Sequence, residues 1–266
     1  MVKRFRFAIH PLHNPTKMGE VFGPLMSYLN KNIKSAVFEL EASNNYPAYE
    51  QKIKAKQFEF GLPNPYQTLM SMEHGYRIFG KMGDDKNFRG VILVRKDSGI
   101  KKISDLKGKT ISYPAATALA ATMMPQNFLI KNGLDLFKET KSIYVGSQES
   151  SIMSVYLKTS QAGATWPPPW NSFVQTHPDK AKDLEIMWQT DTLPSNGLVV
   201  REDIPQALVD EVKRLLFSLH ENEEGRTILA GIGLSRFESA NEATYEPVKK
   251  FLQKFTLEVR SPEKEL

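Results

Sequence analysis

Short apolar runs rich in β-branched or aromatic residues alternate along this chain with segments whose apolar residues recur at helical spacing. That alternation favours an α/β fold built on a parallel sheet. Its clearest instance lies at residues 110–133. Thr110 and Ile111 lead to a break at Pro114, and after two alanines helix formers run on to Asn132, where Gly133 supplies a left-handed stop. Strand, tight loop and helix in that order aim the N–H groups of the helix's first turn, near residues 117–120, past the strand's carboxyl end. Ligands of open α/β sheets sit at that edge.

The 266 residues suffice for one large α/β domain or two smaller ones, and a hydrophobic content of 41% with 24% charged residues is ordinary for a globular protein. No apolar run approaches the roughly 18 residues that would span a bilayer. Met1-Val2-Lys3-Arg4 runs straight into the strand-like Phe5-Arg6-Phe7-Ala8-Ile9, leaving no room for a signal peptide's apolar core. The chain is therefore expected either in the cytoplasm or as a chain whose export signal is not part of this sequence. There is no cysteine, which removes disulfides, thiolate metal sites and cysteine nucleophiles together. The net charge of +5 is spread among 30 acidic residues and reads as solvated surface, not as a nucleic-acid footprint.

Following residues 5–9, Met18, Val21, Phe22, Leu25, Met26 and Leu29 mark a helix with Thr16 as candidate N-cap and a kink at Pro24. A strand at 36–40 precedes a helix capped by Asn44 or Asn45, with Pro47 near its first position. Residues 58–62 read as a strand ending in Pro63-Asn64-Pro65-Tyr66, followed by a short helix from Gln67 to Gly75. Strands are expected at 76–80, 90–94, 142–145, 162–165, 184–188 and 196–200, with a helix from Ser147 and an unusual Trp166-Pro167-Pro168-Pro169-Trp170. Beyond residue 200 only helices are expected, and the charged tail from Arg260 reads as frayed.

The order of Lys96-Asp97-Ser98-Gly99-Ile100 and Asp105-Leu106-Lys107-Gly108-Lys109 resembles the phosphate, phosphite and phosphonate family of periplasmic substrate-binding proteins. Gly23-Pro24-Leu25 with Tyr28-Leu29, Tyr46 before its helix, Pro63 and Tyr66, and Gly133-Leu134-Asp135 extend the similarity over nearly the whole chain. The resemblance implies a two-lobed periplasmic-binding-protein type II fold, each lobe a mostly parallel sheet flanked by helices, joined by two hinge strands. Lobe 1 would take residues 1–92 plus 195–266 and lobe 2 residues 93–194, with ligand between them. It implies a periplasmic, monomeric protein that captures a small molecule or anion for the permease of an ABC importer. The same fold serves as the sensing domain of membrane histidine kinases and resembles cofactor-free menaquinone-pathway enzymes that dehydrate chorismate.

The departures from the family pattern bear on the ligand. Where phosphonate binders carry a serine-threonine-serine-glycine run, this chain has Ala118, Leu119, Ala120 and Ala121, with Thr117 as the nearby hydroxyl. Phe88 stands where the resemblance places an aromatic hydroxyl, Gln148 for a histidine, Pro168 near an acidic group and Asn196 for an aspartate, while the tyrosine at Tyr46 is kept. Each lost charge-assisted hydrogen bond is worth roughly 1.5–3 kcal/mol, so losing three or four is expected to lower phosphonate affinity by about four or more powers of ten.

Tyr46, Phe88, Trp166 and Trp170 with the amides Asn64, Gln148 and Asn196 suit a small organic solute or, as an aromatic cage, a quaternary ammonium. The tryptophans also suit packing between lobes. Arg89 fits a bidentate grip on an oxyanion or an ordinary salt bridge, and Glu149 and Ser150 fit either a ligand or the first turn of their helix. His10, His13 and Asn14 lie in a loop that reaches the cleft in this architecture, and turn chemistry competes for Asn14 and Asn64. Two histidines without further ligands at suitable spacing make no metal site. No serine elbow, glycine-rich phosphate loop, HExxH pattern or pair of carboxylates at a loop end is found, so no enzyme activity and no cofactor are expected.

Overall fold

The computed structural model of the chain describes residues 3–266. Met1 and Val2, read above as the lead into the first strand, lie outside the described residues. The chain divides into two units. The first holds the described residues through Asp85 together with Pro194–Lys249, and the second holds Lys86–Leu193 with Lys250–Leu266.

The first unit opens with β1 (Lys3–Ile9), α1 (Pro15–Asn32), β2 (Ala36–Glu41), α2 (Tyr46–Lys54), β3 (Phe60–Leu62), α3 (Pro65–Glu73) and β4 (Tyr76–Met82). The second follows with β5 (Val91–Arg95), β6 (Lys109–Tyr113), a π-helical turn (Leu119–Met123), α4 (Met124–Lys131) and β7 (Thr140–Tyr144). It continues through α5 (Gln148–Tyr156), β8 (Ala162–Thr165), α6 (Pro167–Thr176), α7 (Pro178–Ala181) and β9 (Leu184–Gln189). The chain then adds β10 (Gly197–Arg201), α8 (Gln206–Phe217), α9 (Glu223–Ile232) and β11 (Phe237–Glu238) to the first unit. The last helix, α10 (Glu246–Glu258), starts in the first unit and ends in the second.

The first sheet has the order β11-β4-β10-β3-β1-β2 and the second β7-β6-β8-β5-β9. β1 runs parallel to β2 and β3, whereas β10 runs antiparallel to both β3 and β4. Connectivity explains the reversal. β4 ends at the carboxyl edge, where the Met82 N–H donates to the Asn196 carbonyl at 2.8 Å, and β10 begins at that same edge with Gly197 opposite Lys81. A strand that starts there runs back across the sheet. In the second unit β5 likewise begins opposite Thr165 and Gln189, the last residues of β8 and β9, and runs against both. The expected common strand direction holds for β1–β4 and for β6–β9, and one internal reversed strand makes each sheet mixed.

Alternation along the strands builds the cores. Phe5, Phe7, Phe38 and Phe60 pack on one face of the first sheet, partly stacked and partly edge-to-face, with ring centroids 5.5–6.1 Å apart, each buried ring contributing about 1.5–3 kcal/mol. In the second unit β5 sends Ile92 and Val94 to a cluster with Ile111, Tyr113 and Leu129, and Val91 and Leu93 to another with Ile152, Val155 and Phe173. Both faces of that sheet are thus covered, as α/β layering requires.

Helix starts differ from expectation at α1, at α3, which begins at Pro65 and not at Gln67, and after β6, where the π turn precedes α4. Asn14, not Thr16, caps α1, accepting from the Lys17 N–H at 2.9 Å with Pro15 in the first turn, because an asparagine immediately before proline already holds the extended backbone a cap needs. Asn45 caps α2 as the sequence allowed, and Gly133 takes φ +86° where the helix ends. β11 interrupts the expected all-helical C-terminal region. The tail does not fray: Arg260 is 8% exposed and the Leu266 N–H donates to the Tyr144 hydroxyl at 3.1 Å. No helix among the described residues is long and apolar enough to cross a membrane.

Candidate functional site

The candidate residues of the first unit gather where its strands end. His10 follows β1 and is buried, with Nδ1 3.0 Å from the Leu62 carbonyl at the end of β3, a pairing that places the ring proton on Nδ1. Tyr46, the first residue of α2, is buried as well and meets the His10 ring edge-to-face at 6.2 Å. Burial, opposed by the Leu62 hydrogen bond, lowers the His10 pKa to about 4. His13 is also lowered to about 4, first by burial and then by Lys17 and His10. Both imidazoles are neutral at pH 7, so this edge gains no positive charge from them.

Asn64 caps α3 through a capping box: its side-chain oxygen accepts from the Gln67 N–H at 3.0 Å while Gln67 Oε1 accepts from the Asn64 N–H at 3.1 Å. Turn chemistry therefore holds that oxygen, as it holds the side chain of Asn14. Asn196, just before β10, is fully buried, with Nδ2 3.3 Å from Met82 Sδ and an Oδ1 that has no hydrogen-bond partner among the described residues. Such an orphaned amide oxygen costs about 1–3 kcal/mol.

In the second unit Phe88 and Trp166 are both buried and meet edge-to-face at 5.4 Å. Trp166 follows β8 and occupies the N-cap position of α6, with Pro167 in the first turn. Trp170 stacks on Phe173 at 6.1 Å and packs against the cluster under β5, which accounts for it as core. The Arg89 guanidinium donates from Nε to the Lys86 carbonyl at 2.9 Å and from Nη1 to Gln189 Oε1 at 3.3 Å. It forms no ion pair among the described residues.

Gln148 is buried at the start of α5, where its Oε1 accepts from the Thr165 hydroxyl at 2.7 Å. Ser147 caps that helix by accepting from the Ser150 N–H at 3.0 Å, and the two hydroxyls lie 2.8 Å apart. Glu149 is exposed in the same first turn, at the positive end of the helix dipole.

Thr117 and Ala118, between β6 and the π turn, and Leu119, the first residue of that turn, are buried. The N–H groups of Thr122 and Met123 both point to the Ala118 carbonyl, at 2.8 and 3.2 Å, so those of Leu119, Ala120 and Ala121 stand ahead of the first helical bond. The wide turn suits Pro125, which has no N–H and crowds the carbonyl four residues back in ordinary α geometry. Gly90 permits its close approach: a Cβ there would lie 2.5 Å from the Ala120 oxygen and 2.6 Å from Pro125 Cγ.

Two features of these edges were not anticipated. The Lys81 ammonium, on a side chain 4% exposed, pairs with Asp85 at 2.7 Å and Glu238 at 2.6 Å, and Asp85 also accepts from the Ser195 N–H at 2.9 Å. The Tyr245 hydroxyl donates to the Ser195 carbonyl at 2.6 Å, so the residue before Asn196 is braced from both sides. Arg260 reaches back to the loop after β6, with Nη2 2.8 Å from the Ala116 carbonyl. Neither arrangement has a local sequence signature, since Lys81 meets Glu238, Asp85 meets Ser195 and Arg260 meets Ala116 only in the fold. No cluster of metal-ligating side chains occurs among the described residues.

Residues 7–245 match the family model described as ABC transporter, phosphonate, periplasmic substrate-binding protein. A probable ABC transporter phosphite-binding protein, PhnD1, of Prochlorococcus marinus (strain MIT 9301) is 24% identical over 183 residues, 64% of this chain and 62% of the relative. The phosphonates-binding periplasmic protein of Escherichia coli (strain K12) is 19% identical over 197 residues, 70% of this chain and 58% of that protein. The chain thus spans about three fifths of the length of these curated relatives. The solved structure of Prochlorococcus PhnD1 in complex with methylphosphonate superposes with a TM-score of 0.88 at 18% identity, covering 96% of this chain and 99% of that one, a likeness of fold. With two units of mixed α/β architecture and a family match from β1 to Tyr245, this chain belongs to the phosphonate family of ABC-transporter periplasmic substrate-binding proteins.

Proposed function

We propose that the chain is the solute-binding component of an ABC importer: a periplasmic, monomeric protein that holds a small anionic or organic solute unchanged and presents it to a permease. The observation that carries this reading is the family match over residues 7–245, a span that contains every candidate residue named above. The relatives' descriptions, phosphite and phosphonates binding, supply the solute class. The candidate ligand groups are Tyr46, Asn64 and Asn196 with His13 in the first unit. In the second they are Phe88, Arg89, Gln148, Glu149 and Trp166 with the turn at Thr117, Ala118 and Leu119. Buried rings beside neutral amides, and a turn that offers N–H groups but methyl and isobutyl side chains, favour a solute with both an oxyanion and an apolar part.

Grip on the oxyanion itself is weaker than the family pattern implies, because residues 118–121 carry no hydroxyl and Asn196 brings an unpartnered acceptor oxygen, which repels an anion's oxygens. Titration calorimetry with methylphosphonate, phosphite, phosphate, alkylsulfonates and quaternary amines tests the reading. A one-to-one complex with at least one of these and no chemical change in the solute is expected, with methylphosphonate bound more weakly than micromolar. Submicromolar methylphosphonate affinity contradicts the altered grip. Silence across the panel, or turnover, contradicts the solute-binding role.

A further inference from the structure

Arg260 follows the last turn of α10, beyond the residues matched by the family model, and its guanidinium is buried. Nε donates to Gln126 Oε1 at 2.9 Å, Nη1 to the carbonyls of Ser261 at 3.0 Å and Pro262 at 2.6 Å, and Nη2 to the Ala116 carbonyl at 2.8 Å. The Phe255 ring lies beneath it, 5.1 Å away. All four of these hydrogen-bond acceptors are neutral oxygens, and the Glu265 carboxylate acts on the guanidinium through charge alone. A guanidinium buried among neutral acceptors gains less than one facing a carboxylate, and a hydrophobic side chain fills such a space at lower cost. What only the planar fork supplies is a rigid link between Gln126 on α4 and the loop after β6. Gln126 is itself fixed by donating from Nε2 to the Tyr144 hydroxyl at 3.0 Å. The anchored carbonyl belongs to the residue before Thr117, so its direction sets the course of the peptide units leading to the N–H groups of Leu119, Ala120 and Ala121.

We infer that Arg260 is a positioning residue for the anion-receiving turn at residues 114–121, an inference that rests on the solute-binding function proposed above. It touches no solute and acts through the Ala116 carbonyl.

The test compares the full chain with Arg260→Met, Arg260→Lys and a chain ending at Glu265, which loses the Leu266–Tyr144 bond but keeps all four acceptors of Arg260 as neutral oxygens. Affinity for methylphosphonate, with phosphite and phosphate as further probes, is measured at a temperature where every variant is folded, alongside amide hydrogen exchange at residues 116–121. The chain ending at Glu265 melts lower yet binds within about twofold of the full chain and exchanges alike. Arg260→Met weakens binding by about tenfold or more and speeds exchange at 116–121. Arg260→Lys does not restore either, because a point ammonium cannot bridge Gln126 and Ala116 together. Should Arg260→Met fail to fold, Gln126→Met, which leaves the guanidinium without its α4 anchor, is expected to move affinity and exchange in the same direction. Affinity that follows melting temperature across all variants, or that is unchanged in Arg260→Met, overturns the inference. If the full chain binds none of these three anions, the turn is not their receiving site, the solute-binding reading is left to the alkylsulfonates and quaternary amines of the wider panel, and the exchange comparison alone decides whether Arg260 holds the turn.

Discussion

His10 and His13 are neutral in the folded chain because burial strips water from the imidazolium and no carboxylate is among the groups acting on them. The unfolded chain binds a proton at each near pH 6.5, whereas the folded chain does so only near pH 4. Their contribution is therefore fully present above pH 6.5 and is lost as pH falls toward 4. For His10 alone, moving from pH 7.5 to pH 4.5 removes about 2–3 kcal/mol. Urea unfolding at those two pH values reads this directly, and His10→Gln flattens the profile by about that amount; equal pH dependence in both proteins contradicts the assignment. Asn196→Asp tests the other buried polar group of this edge. A carboxylate there meets only Met82 Sδ, so its pKa rises in the folded state and the variant is destabilised by about 2 kcal/mol or more at pH 7.5. Since the folded form holds that proton more tightly, the deficit relative to the parent protein shrinks as pH falls toward the unfolded carboxyl value near 4. A deficit independent of pH points to a packing effect instead.

Among the elements, the π turn at Leu119–Met123 and the lead into β5 are interdependent. Adding a methyl group at Gly90 places a carbon 2.5 Å from the Ala120 oxygen, an atom of backbone that cannot rotate away, so Gly90→Ala displaces the turn. Overpacking of that kind costs about 1–3 kcal/mol, and the same displacement weakens solute binding because the turn carries the N–H groups in question. Thermal unfolding and calorimetry on Gly90→Ala check both, and a stability loss without any loss of affinity would separate the turn from the site. The existence and type of these elements were legible in the sequence because their signals are local: Asn45 and Asn64 before prolines, Ser147 before α5, Gly133 at a helix end. The π register was not, since a proline at position 125 reads equally as the first turn of an α-helix. Nor was β11, whose two residues form a strand only by pairing with Lys81 and Met82.

For the molecule as a whole, strand and helix order, together with the short motifs from Gly23 to Asp135, carried enough information to reach the two-lobed fold and its family. What sequence order leaves out is pairing between distant segments. The reversed strands β5 and β10, the Lys81–Glu238 pair and the return of Arg260 to Ala116 all join residues far apart in the chain. At the candidate site, residue types pointed to rings and amides, but not to which polar atoms the helix caps would take, as the capping box at Asn64 does. The remaining question, whether these edges hold a solute, has a whole-molecule readout. A solute that binds only the folded chain and is present at 100 times its Kd adds about 2.7 kcal/mol. Unfolding entropy of about 2.1 cal/mol/K per residue gives about 0.56 kcal/mol/K for 266 residues, so the melting temperature rises by about 5 °C. Trp166→Ala removes the ring that meets Phe88 edge-to-face, and with an affinity about tenfold weaker the same concentration adds about 1.4 kcal/mol. Its melting temperature, compared with its own solute-free value, then rises by only about 2.5 °C. Comparing each protein with itself removes the stability lost with the tryptophan, so an undiminished shift in Trp166→Ala takes that residue out of the site while leaving the solute-binding function standing.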